Sequence, residues 1–401
     1  MRTTLPLVLA ASSLIVGCKD GGTDTDEPVE LCAFESGTTC TVAGTGSPGS
    51  RENEPDPLLN GLYGPMDVAF RGDTKDFFIG DWNNHKIRFV ENGAMRTAIG
   101  TDFLGDGDAD FQERIPPGVP GTTVALNHPT QIEWNPITNR LLVPSWHNHR
   151  VREWDPATGN SLVVCANTGI DDGNGANAGF AGDGGPAANA LMAFPNSIAI
   201  DPTDGSFFLL PSNNNRIRKV AGDFSLIDTI AGDGTRGYTG DGGDALAASF
   251  FFWQADDLQP EPSGAVEYDP DERMLYIVDT SNHVIRVMDV DNGTIDTLPN
   301  TGIQTLPGGA CDTEALCFPR DVEILGRTLY IADTNNNVIR TYDLDSQTMS
   351  TFAGTFTAGD GDDGLPALET SLDRPQGLDV HADGTVLIAD TYNHRIRLVT
   401  P

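Results

Sequence analysis

A sixfold repeat constrains this chain more than any other feature of its sequence. The best-defined copy is residues 389–399 (ADTYNHRIRLV), and variants begin at residues 80, 144, 210, 278 and 332. Every copy has an Asn, a β-branched residue three positions later and then an Arg. The arginines are Arg88, Arg152, Arg218, Arg286, Arg340 and Arg397. Such a repeat is one supersecondary unit that buries its apolar faces only against its neighbours.

Each copy lies among short β-type runs separated by turn residues. In the third unit, residues 197–201 and 206–210 flank a Pro-Thr-Asp-Gly turn, and residues 226–231 form another run after the repeat. This indicates four strands per unit, which we label a to d from the inside outwards. Four-stranded sheets repeated radially form a β-propeller. We therefore predict an all-β fold, a six-bladed propeller of antiparallel blades.

The two ends of the repeat region complement each other. The sixth unit stops at Pro401 without a strand d, whereas residues 39–44 (TCTVAG) match the strand d sequences at residues 229–232 and 351–354. We predict that the N-terminal strand completes the sixth blade, so that one propeller spans residues 39–401. Closure of the ring would leave no exposed edge of the kind an open array presents.

The charge of the chain narrows the range of partners. Its 401 residues include 58 acidic and 24 basic ones, giving a formal net charge of −34. Binding to phosphate groups needs clusters of Lys and Arg, so nucleic acid and anionic membrane surfaces are poor partners. We expect a monomer that contacts a membrane only through an anchor.

The N-terminus has the pattern of an export signal. Arg2 precedes an apolar run over residues 5–16 that is too short for a convincing membrane span. Residues 15–18 (IVGC) resemble the lipobox of bacterial lipoproteins, which implies removal of residues 1–17 and lipidation of Cys18. An ordinary secretory signal is the alternative. Residues 18–38 would be the lipidated Cys and an acidic disordered tether. The resemblance implies a cell-envelope location, at the outer membrane or cell surface.

Five cysteines follow Cys18, and disulfides persist in exported chains. Cys32 and Cys40 are close in sequence, as are Cys311 and Cys317, so we predict these two pairs. Cys165 would be left over. Sequence alone does not fix the connectivity.

Three motifs resemble the NHL repeat. They are residues 181–191 (AGDGGPAANAL), residues 195–201 (PNSIAID) and residues 389–397 (ADTYNHRIR). The resemblance implies a six-bladed propeller over the whole region from residue 39 to residue 401. It says little about function, because propellers include both binding modules and enzymes.

The repeated polar residues suit structural roles. Each Asn is expected in the b–c turn, where it can adopt the left-handed conformation and bond its own backbone. Four copies carry an Asp seven residues before the Arg, and the two could pair across the hairpin. Histidines at the repeat position would lie in different blades, too far apart to share one metal ion. They are His85, His149, His283 and His394.

One face of the propeller is the better candidate for function. Because strands alternate in direction, the b–c turns and the long d–a crossings between blades share a face, and loops carry function more often than scaffold does. Trp82, Trp146, His147 and Tyr392 fall in the b–c turns of units 1, 2 and 6, which are neighbours in a closed ring. We predict that they form a platform for a sugar or peptide. Packing beneath the long loops is the alternative.

No cofactor is indicated, and calcium is the one candidate ion. Asp106, Asp108 and Asp110 alternate as in a calcium loop, but Phe111 stands where an EF-hand requires Gly. Solvated loop carboxylates are the alternative interpretation.

Two functions remain open. The favoured one is an envelope-anchored, non-enzymatic scaffold that binds a protein or glycan on its loop face. The alternative is an enzyme, since peptide-amidating lyases and some lactonases have similar propellers with a metal in the central channel. Such a site needs His or carboxylate side chains projecting inward. The residues expected at the channel mouth are Met66, Thr130, Asn196, Arg320 and Gln376. None of them is a His, although Asp67 and Asp321 lie one position further on.

Overall fold

Six antiparallel sheets arranged in a ring make up the described part of the chain. The computed structural model describes residues 35–50, 55–108, 110–167, 178–252, 262–302 and 313–401. Within these ranges the regular structure is β-strand and short 3₁₀ turn, with no α-helix. None of the described segments is a helix with the length and apolarity to cross a membrane. The predicted all-β, six-bladed propeller is confirmed.

The first three blades run from inner to outer strand as follows. Blade 1 is β2 (Pro65–Phe70), β3 (Phe77–Asp81), β4 (Lys86–Glu91) and β5 (Ala94–Ile99). Blade 2 is β7 (Glu133–Asn135), β8 (Arg140–Ser145), β9 (Arg150–Asp155), β10 (Asn160–Cys165) and β6 (Val119–Pro120). Blade 3 is β11 (Pro195–Ile200), β12 (Phe207–Pro211), β13 (Ile217–Val220) and β14 (Ile227–Ala231).

The remaining blades follow the same order. Blade 4 is β16 (Ala265–Asp269), β17 (Met274–Asp279), β18 (Val284–Asp289), β19 (Thr294–Thr297) and β15 (Gly243–Asp244). Blade 5 is β20 (Asp321–Leu325), β21 (Thr328–Asp333), β22 (Val338–Asp343) and β23 (Thr348–Gly354). Blade 6 is β24 (Gly377–Val380), β25 (Val386–Asp390), β26 (Arg395–Val399) and β1 (Thr39–Ala43). Blades 2 and 4 therefore differ from the prediction, because the preceding crossing adds a two-residue outermost strand to each.

The 3₁₀ turns fall into two sets. Five form b–c turns, at Trp82–Asn84, Ser212–Asn214, Thr280–Asn282, Thr334–Asn336 and Thr391–Asn393. The others lie before the inner strands, at Pro57–Leu59, Gln112–Arg114, Gly121–Thr123, Ala187–Asn189, Ala245–Ala247 and Ala367–Glu369.

The ring closes through the N-terminal strand, as predicted. β1 pairs antiparallel with β26, so that Thr39 lies opposite Val399 and Cys40 opposite Leu398. The inner strands also contact one another around the full circle, and β24 of the last blade contacts β2 of the first.

The hydrophobic core is divided among the gaps between neighbouring blades. One cluster joins Val42 and Leu387 of blade 6 to Val68 and Ile79 of blade 1. Five further clusters repeat this arrangement around the ring. Each blade therefore buries its faces against its neighbours, which is why one repeat cannot fold alone.

Inner-strand side chains join the blades around the central channel. The Asp67 carboxylate accepts the Ile132 N–H of blade 2 at 2.7 Å, and the Ser197 hydroxyl accepts the Val266 N–H of blade 4 at 2.9 Å. The Asp321 carboxylate accepts the Leu378 N–H at 2.8 Å, and the Asp379 carboxylate accepts the Phe70 N–H at 2.6 Å. An inner strand is a sheet edge, so these bonds satisfy backbone groups that would otherwise lack a partner.

The channel mouth is narrow. The residues predicted there line a small cavity of about 10 Å³ together with Gln131 and Pro262. The Arg320 guanidinium donates to the Pro262 carbonyl and Gln131 donates to Asp321, so polar side chains fill this end.

Candidate functional site

The repeated Asn holds the crossing loop against the b–c turn in all six blades. Its side-chain amide donates to a backbone carbonyl of that loop, for example Asn84 to Gly49 at 2.7 Å and Asn393 to Gly359 at 2.8 Å. The other donors are Asn148, Asn214, Asn282 and Asn336. These amides fix the loops whose ends form the functional face.

The repeated Asp anchors the start of the inner strand. In blade 1, Asp81 accepts the Tyr63 N–H at 2.9 Å and also contacts the Arg88 guanidinium at 3.0 Å. In blade 2 a Ser occupies the Asp position, and Asn148 accepts the equivalent N–H, that of Asn127, at 3.0 Å. The predicted Asp–Arg pairing is therefore real but not obligatory.

The repeated His joins one blade to the next. His149 Nδ1 accepts the Phe194 N–H at 3.1 Å, and His283 Nδ1 accepts the Phe318 N–H at 3.0 Å. His85 and His394 make the same contact with His128 and Gly64. The backbone of this residue, not that of the preceding Asn, takes the left-handed conformation, with φ between 47° and 60° across the six copies. The prediction that placed Asn in that conformation is corrected.

A pocket of about 370 Å³ opens on the face shared by b–c turns and crossing ends. It lies where blades 6, 1 and 2 meet. Its wall consists of Tyr63, Gly64, Met66, Trp82, Asn83, His128, His147, Gln376, Thr391, Tyr392 and His394. Met66 and Gln376 also line the channel mouth, so the pocket borders the propeller axis.

Three of the four predicted ligand-binding residues line this pocket: Trp82, His147 and Tyr392. Tyr392 is 42% exposed, whereas Trp82 is only 8% exposed. Trp146 departs from the prediction. It is 3% exposed and packs beneath the wall, with ring centroids 5.8 Å from Trp82 and 4.8 Å from Phe194. The side chain of a Trp in a b–c turn can point to solvent or pack beneath the neighbouring crossing loop. The sequence alone does not decide between these two orientations.

Sequence reasoning missed Tyr63, His128 and His394 as pocket residues. Tyr63 and His128 precede the inner-strand prolines Pro65 and Pro129 by two residues and one residue. Inspection of the residues one and two positions before the inner-strand Pro in each unit would have identified Tyr63 and His128 as candidates. His394 contributes to the wall although its Nδ1 accepts the Gly64 N–H.

The described residues of the pocket wall carry no formal charge, although the whole chain is strongly acidic. Among them there is no Asp, Glu, Lys or Arg. Burial lowers the pKa of His128 to about 3 and that of His147 to about 4, so both imidazoles are uncharged near neutral pH. The aromatic rings and neutral hydrogen-bonding groups suit an uncharged ligand.

A shallow groove of about 460 Å³ continues from the pocket towards blade 5. Tyr392 lines both spaces, and the Arg374 guanidinium lies 4.8 Å from its ring centroid. Asp373, Asn335 and Asn337 form the rest of the polar lining. The pocket and groove together provide room for an elongated ligand.

The predicted calcium residues do not converge. Asp106 accepts from the Arg150 guanidinium at 2.6 Å, and Asp108 accepts the Gln112 N–H at 2.9 Å within its own loop. Asp110 is exposed. Among the described residues, no three His, Cys, Asp or Glu side chains are grouped to hold a metal ion. Calcium binding stays a prediction without support from these contacts.

Other predicted residues fall partly outside the described ranges. Cys18 and the signal segment lie there, as do Cys32 and Cys311. Cys40 and Cys317 are each disulfide-bonded, whereas Cys165 is a buried free thiol. The two predicted pairings stay predictions.

The repeat and the fold both have known counterparts. Residues 372–397, which include most of the sixth copy, match the NHL repeat. The Arabidopsis thaliana chloroplast protein SUPPRESSOR OF QUENCHING 1 is 25% identical over 291 residues, 70% of this chain and 26% of that protein. NHL repeat-containing protein 2 of Bos taurus is 34% identical over 94 residues, 22% of this chain and 12% of that protein. The chain thus spans about a quarter or less of the length of these two relatives.

Solved propellers share the architecture at low identity. An auxiliary nutrient binding protein from Bacteroides thetaiotaomicron superposes with a TM-score of 0.60 at 14% identity, covering 90% of this chain and 75% of that one. A gluconolactonase from Xanthomonas campestris gives a TM-score of 0.51 at 11% identity, covering 85% and 87%. These similarities show the six-bladed fold, and one of the two structures is named as a binding protein and the other as an enzyme.

Proposed function

We propose that this propeller is a cell-envelope binding module that captures an uncharged glycan on its b–c and d–a loop face. The observation that carries the proposal is the neutral, aromatic-lined pocket between blades 6, 1 and 2, with its continuation towards blade 5. Among the described wall residues there is no Ser or Cys nucleophile beside a base.

The composition of the wall favours a glycan over a charged peptide. Sugar rings stack on aromatic faces through their C–H groups, and their hydroxyls bind amides and imidazoles. Tyr63 and Tyr392 are 44% and 42% exposed, and Asn83 and Gln376 supply amide groups to the same wall. Binding sites of this type are mostly apolar, with few polar groups that fix orientation.

The fold by itself does not decide between binding and catalysis, because its structural neighbours include both kinds of protein. No specific contact favours an enzyme working in the channel. There the carboxylates of Asp67, Asp321 and Asp379 already accept backbone N–H groups from the next blade.

The envelope location rests on the sequence of residues 15–18 (IVGC). A lipid on Cys18 would tether the propeller through the acidic segment that follows. Cells producing Cys18→Ser should release the protein from the membrane fraction, as fractionation and immunoblotting would show. Retention in the membrane of a variant from which residues 1–17 have been removed would refute the lipid anchor and leave the pocket proposal standing.

The pocket proposal is tested by screening the purified full-length protein on an array of neutral and acidic glycans. We expect binding to a subset of neutral glycans, with affinity reduced at least about tenfold by Tyr392→Ala, which corresponds to about 1.4 kcal/mol. Phe103→Ala is the matched control, because Phe103 is 75% exposed on a crossing loop and does not line the pocket.

Trp146 should be left intact in these experiments, since its burial means that substitution would test stability rather than binding. Binding that survives Tyr392→Ala at full strength would contradict the proposed site. Capture of peptides and no glycan would favour a protein partner instead.

A further inference from the structure

Three polar atoms from blade 2 converge on one point of the pocket wall. His128 Nδ1 lies 2.8 Å from His147 Nδ1 and 2.8 Å from Asn127 Oδ1. The third side of this triangle, from His147 Nδ1 to Asn127 Oδ1, is 3.3 Å. His128 and His147 both line the pocket, whereas Asn127 is 5% exposed.

A hydrogen-bonded form of the triangle places one proton on His128 Nδ1, which donates to both His147 Nδ1 and Asn127 Oδ1 and leaves these two acceptors 3.3 Å apart. With both Nδ1 atoms unprotonated, the triangle instead brings three acceptor atoms within 3.3 Å of one another. Two imidazole nitrogens and an amide oxygen at such separations are a set that a cation can bind.

The triangle is small enough for all three atoms to reach one ion. Ligands about 2.1 Å from an ion lie about 3.0 Å apart in octahedral and about 3.4 Å apart in tetrahedral geometry, whereas the observed separations are 2.8, 2.8 and 3.3 Å. Imidazole nitrogen suits zinc, copper and nickel, and an amide oxygen completes a mixed set. The side of the ion facing the pocket would remain open for water or a ligand.

The backbone holds this triangle in place independently of any ion. The Trp146 N–H donates to the His128 carbonyl at 3.1 Å, and the His147 N–H donates to the Asn127 carbonyl at 3.2 Å. Two short segments thus run side by side and fix the three side chains. Preorganisation of this kind lowers the cost of ordering ligands around a metal.

The repeat architecture does not require these residues. At the positions of Asn127, His128 and His147, blade 1 has Tyr63, Gly64 and Asn83. Blade 6 has Asp373, Arg374 and Tyr392. Both blades repeat the backbone contact that joins His147 to Asn127, as Asn83 to Tyr63 at 3.0 Å and Tyr392 to Asp373 at 3.2 Å. The pair of histidines is therefore particular to blade 2.

We propose that His128 Nδ1, His147 Nδ1 and Asn127 Oδ1 bind one divalent ion of zinc, copper or nickel, with its open positions facing the pocket. The proposal depends only on the contacts among these three side chains. Because the probe is the metal alone, its failure would not affect the proposed capture of a glycan, which is measured separately.

The test is titration of metal-free, full-length protein with Zn²⁺ by calorimetry, with metal content measured after dialysis. We expect one ion per chain, and at least a tenfold loss of affinity in His147→Ala. A Cu²⁺ adduct should show hyperfine coupling to two imidazole nitrogens in the parent protein and to one in His147→Ala.

His394→Asn is the matched control, because it changes another pocket histidine and Asn337 already fills the equivalent place in blade 5. It should bind Zn²⁺ like the parent protein. His128→Ala provides a second ligand deletion, and thermal melts of all variants show that they are folded. Substoichiometric binding, or binding equally strong in both ligand deletions, would overturn the site and leave an adventitious ion only.

Discussion

At the scale of single residues, the repeated His is an acceptor that joins neighbouring blades. Its Nδ1 accepts a backbone N–H from the residue just before the next inner-strand Pro. In blade 5 the residue is Asn337, and its Oδ1 accepts the Arg374 N–H at 3.0 Å. An amide oxygen and an unprotonated imidazole nitrogen perform the same task, so the exchange of His for Asn between units has a physical reason.

This contact requires a neutral imidazole and therefore depends on pH. Burial lowers the pKa of His149 to about 4, below the ordinary value of 6.5. Between these values the unfolded chain binds a proton that the folded chain does not. The stability that neutral His149 contributes to the folded state is fully present above about pH 6.5 and is lost as the pH falls towards 4.

We predict that His149→Asn loses less stability than the parent protein on acidification. The difference in the free energy of unfolding between about pH 7.5 and about pH 5.5 should shrink by about 1 kcal/mol in the variant. Urea unfolding at the two pH values measures this. An unchanged difference would show that His149 does not titrate as its burial implies.

At the scale of elements, the N-terminal strand is what closes the ring. β1 supplies Val42, which is 6% exposed, and Ala43, which is fully buried, to the core between blades 6 and 1. On its edge, Thr41 accepts from Arg397 at 2.9 Å. Without this strand, β26 would be an open edge beside an exposed apolar face.

We predict that Val42→Asp strongly destabilises the propeller, because an unpaired carboxylate would enter the core between the two blades. The loss should be at least about 3 kcal/mol. Thr45→Asp is the control, since Thr45 is exposed just beyond the same strand. Denaturant unfolding of both variants tests this, and equal stability would mean that closure by β1 contributes little.

At the scale of the whole molecule, the inner strands concentrate negative charge around the channel. Six carboxylates face one another there, belonging to Asp67, Glu133, Glu267, Asp321, Glu323 and Asp379. Burial, followed by repulsion from Glu267 and Asp379, raises the pKa of Glu323 well above its ordinary value. For Asp321, burial raises the pKa to about 8.

A raised pKa reverses the sign of the pH effect found for the histidines. The folded chain keeps a proton on Glu323 after the unfolded chain has released it. The stability that this proton provides is present at acid pH and is lost as the pH rises beyond the ordinary range of Glu.

We predict that Glu323→Gln makes the protein more stable than the parent at about pH 9, with a smaller difference at about pH 5. The amide has the shape of the carboxyl and adds no charge to the channel. Glu272→Gln, on the exposed outside, is the control. If both variants follow the pH profile of the parent, the channel carboxylates do not repel one another as their positions indicate.

Much of this architecture could be predicted from the sequence, because the strands and turns of each repeat unit depend on residues within that unit. The spacing of the copies defined the six blades, and the resemblance of residues 39–44 to other outer strands predicted the closure between β1 and β26. Alternation of strand direction placed Trp82, His147 and Tyr392 on one face. Each of these follows from patterns within a single unit.

Contacts between units were decided only by the tertiary structure. Whether Trp146 faces solvent depends on Phe194 of the next blade, and the meeting of His128 with His147 depends on how a crossing segment docks beside a turn. The left-handed backbone at the repeated His likewise serves an acceptor contact with the following blade. Sequence determined the unit and the number of units. The site arises where units meet, because side-chain direction and burial there depend on residues far apart in the chain.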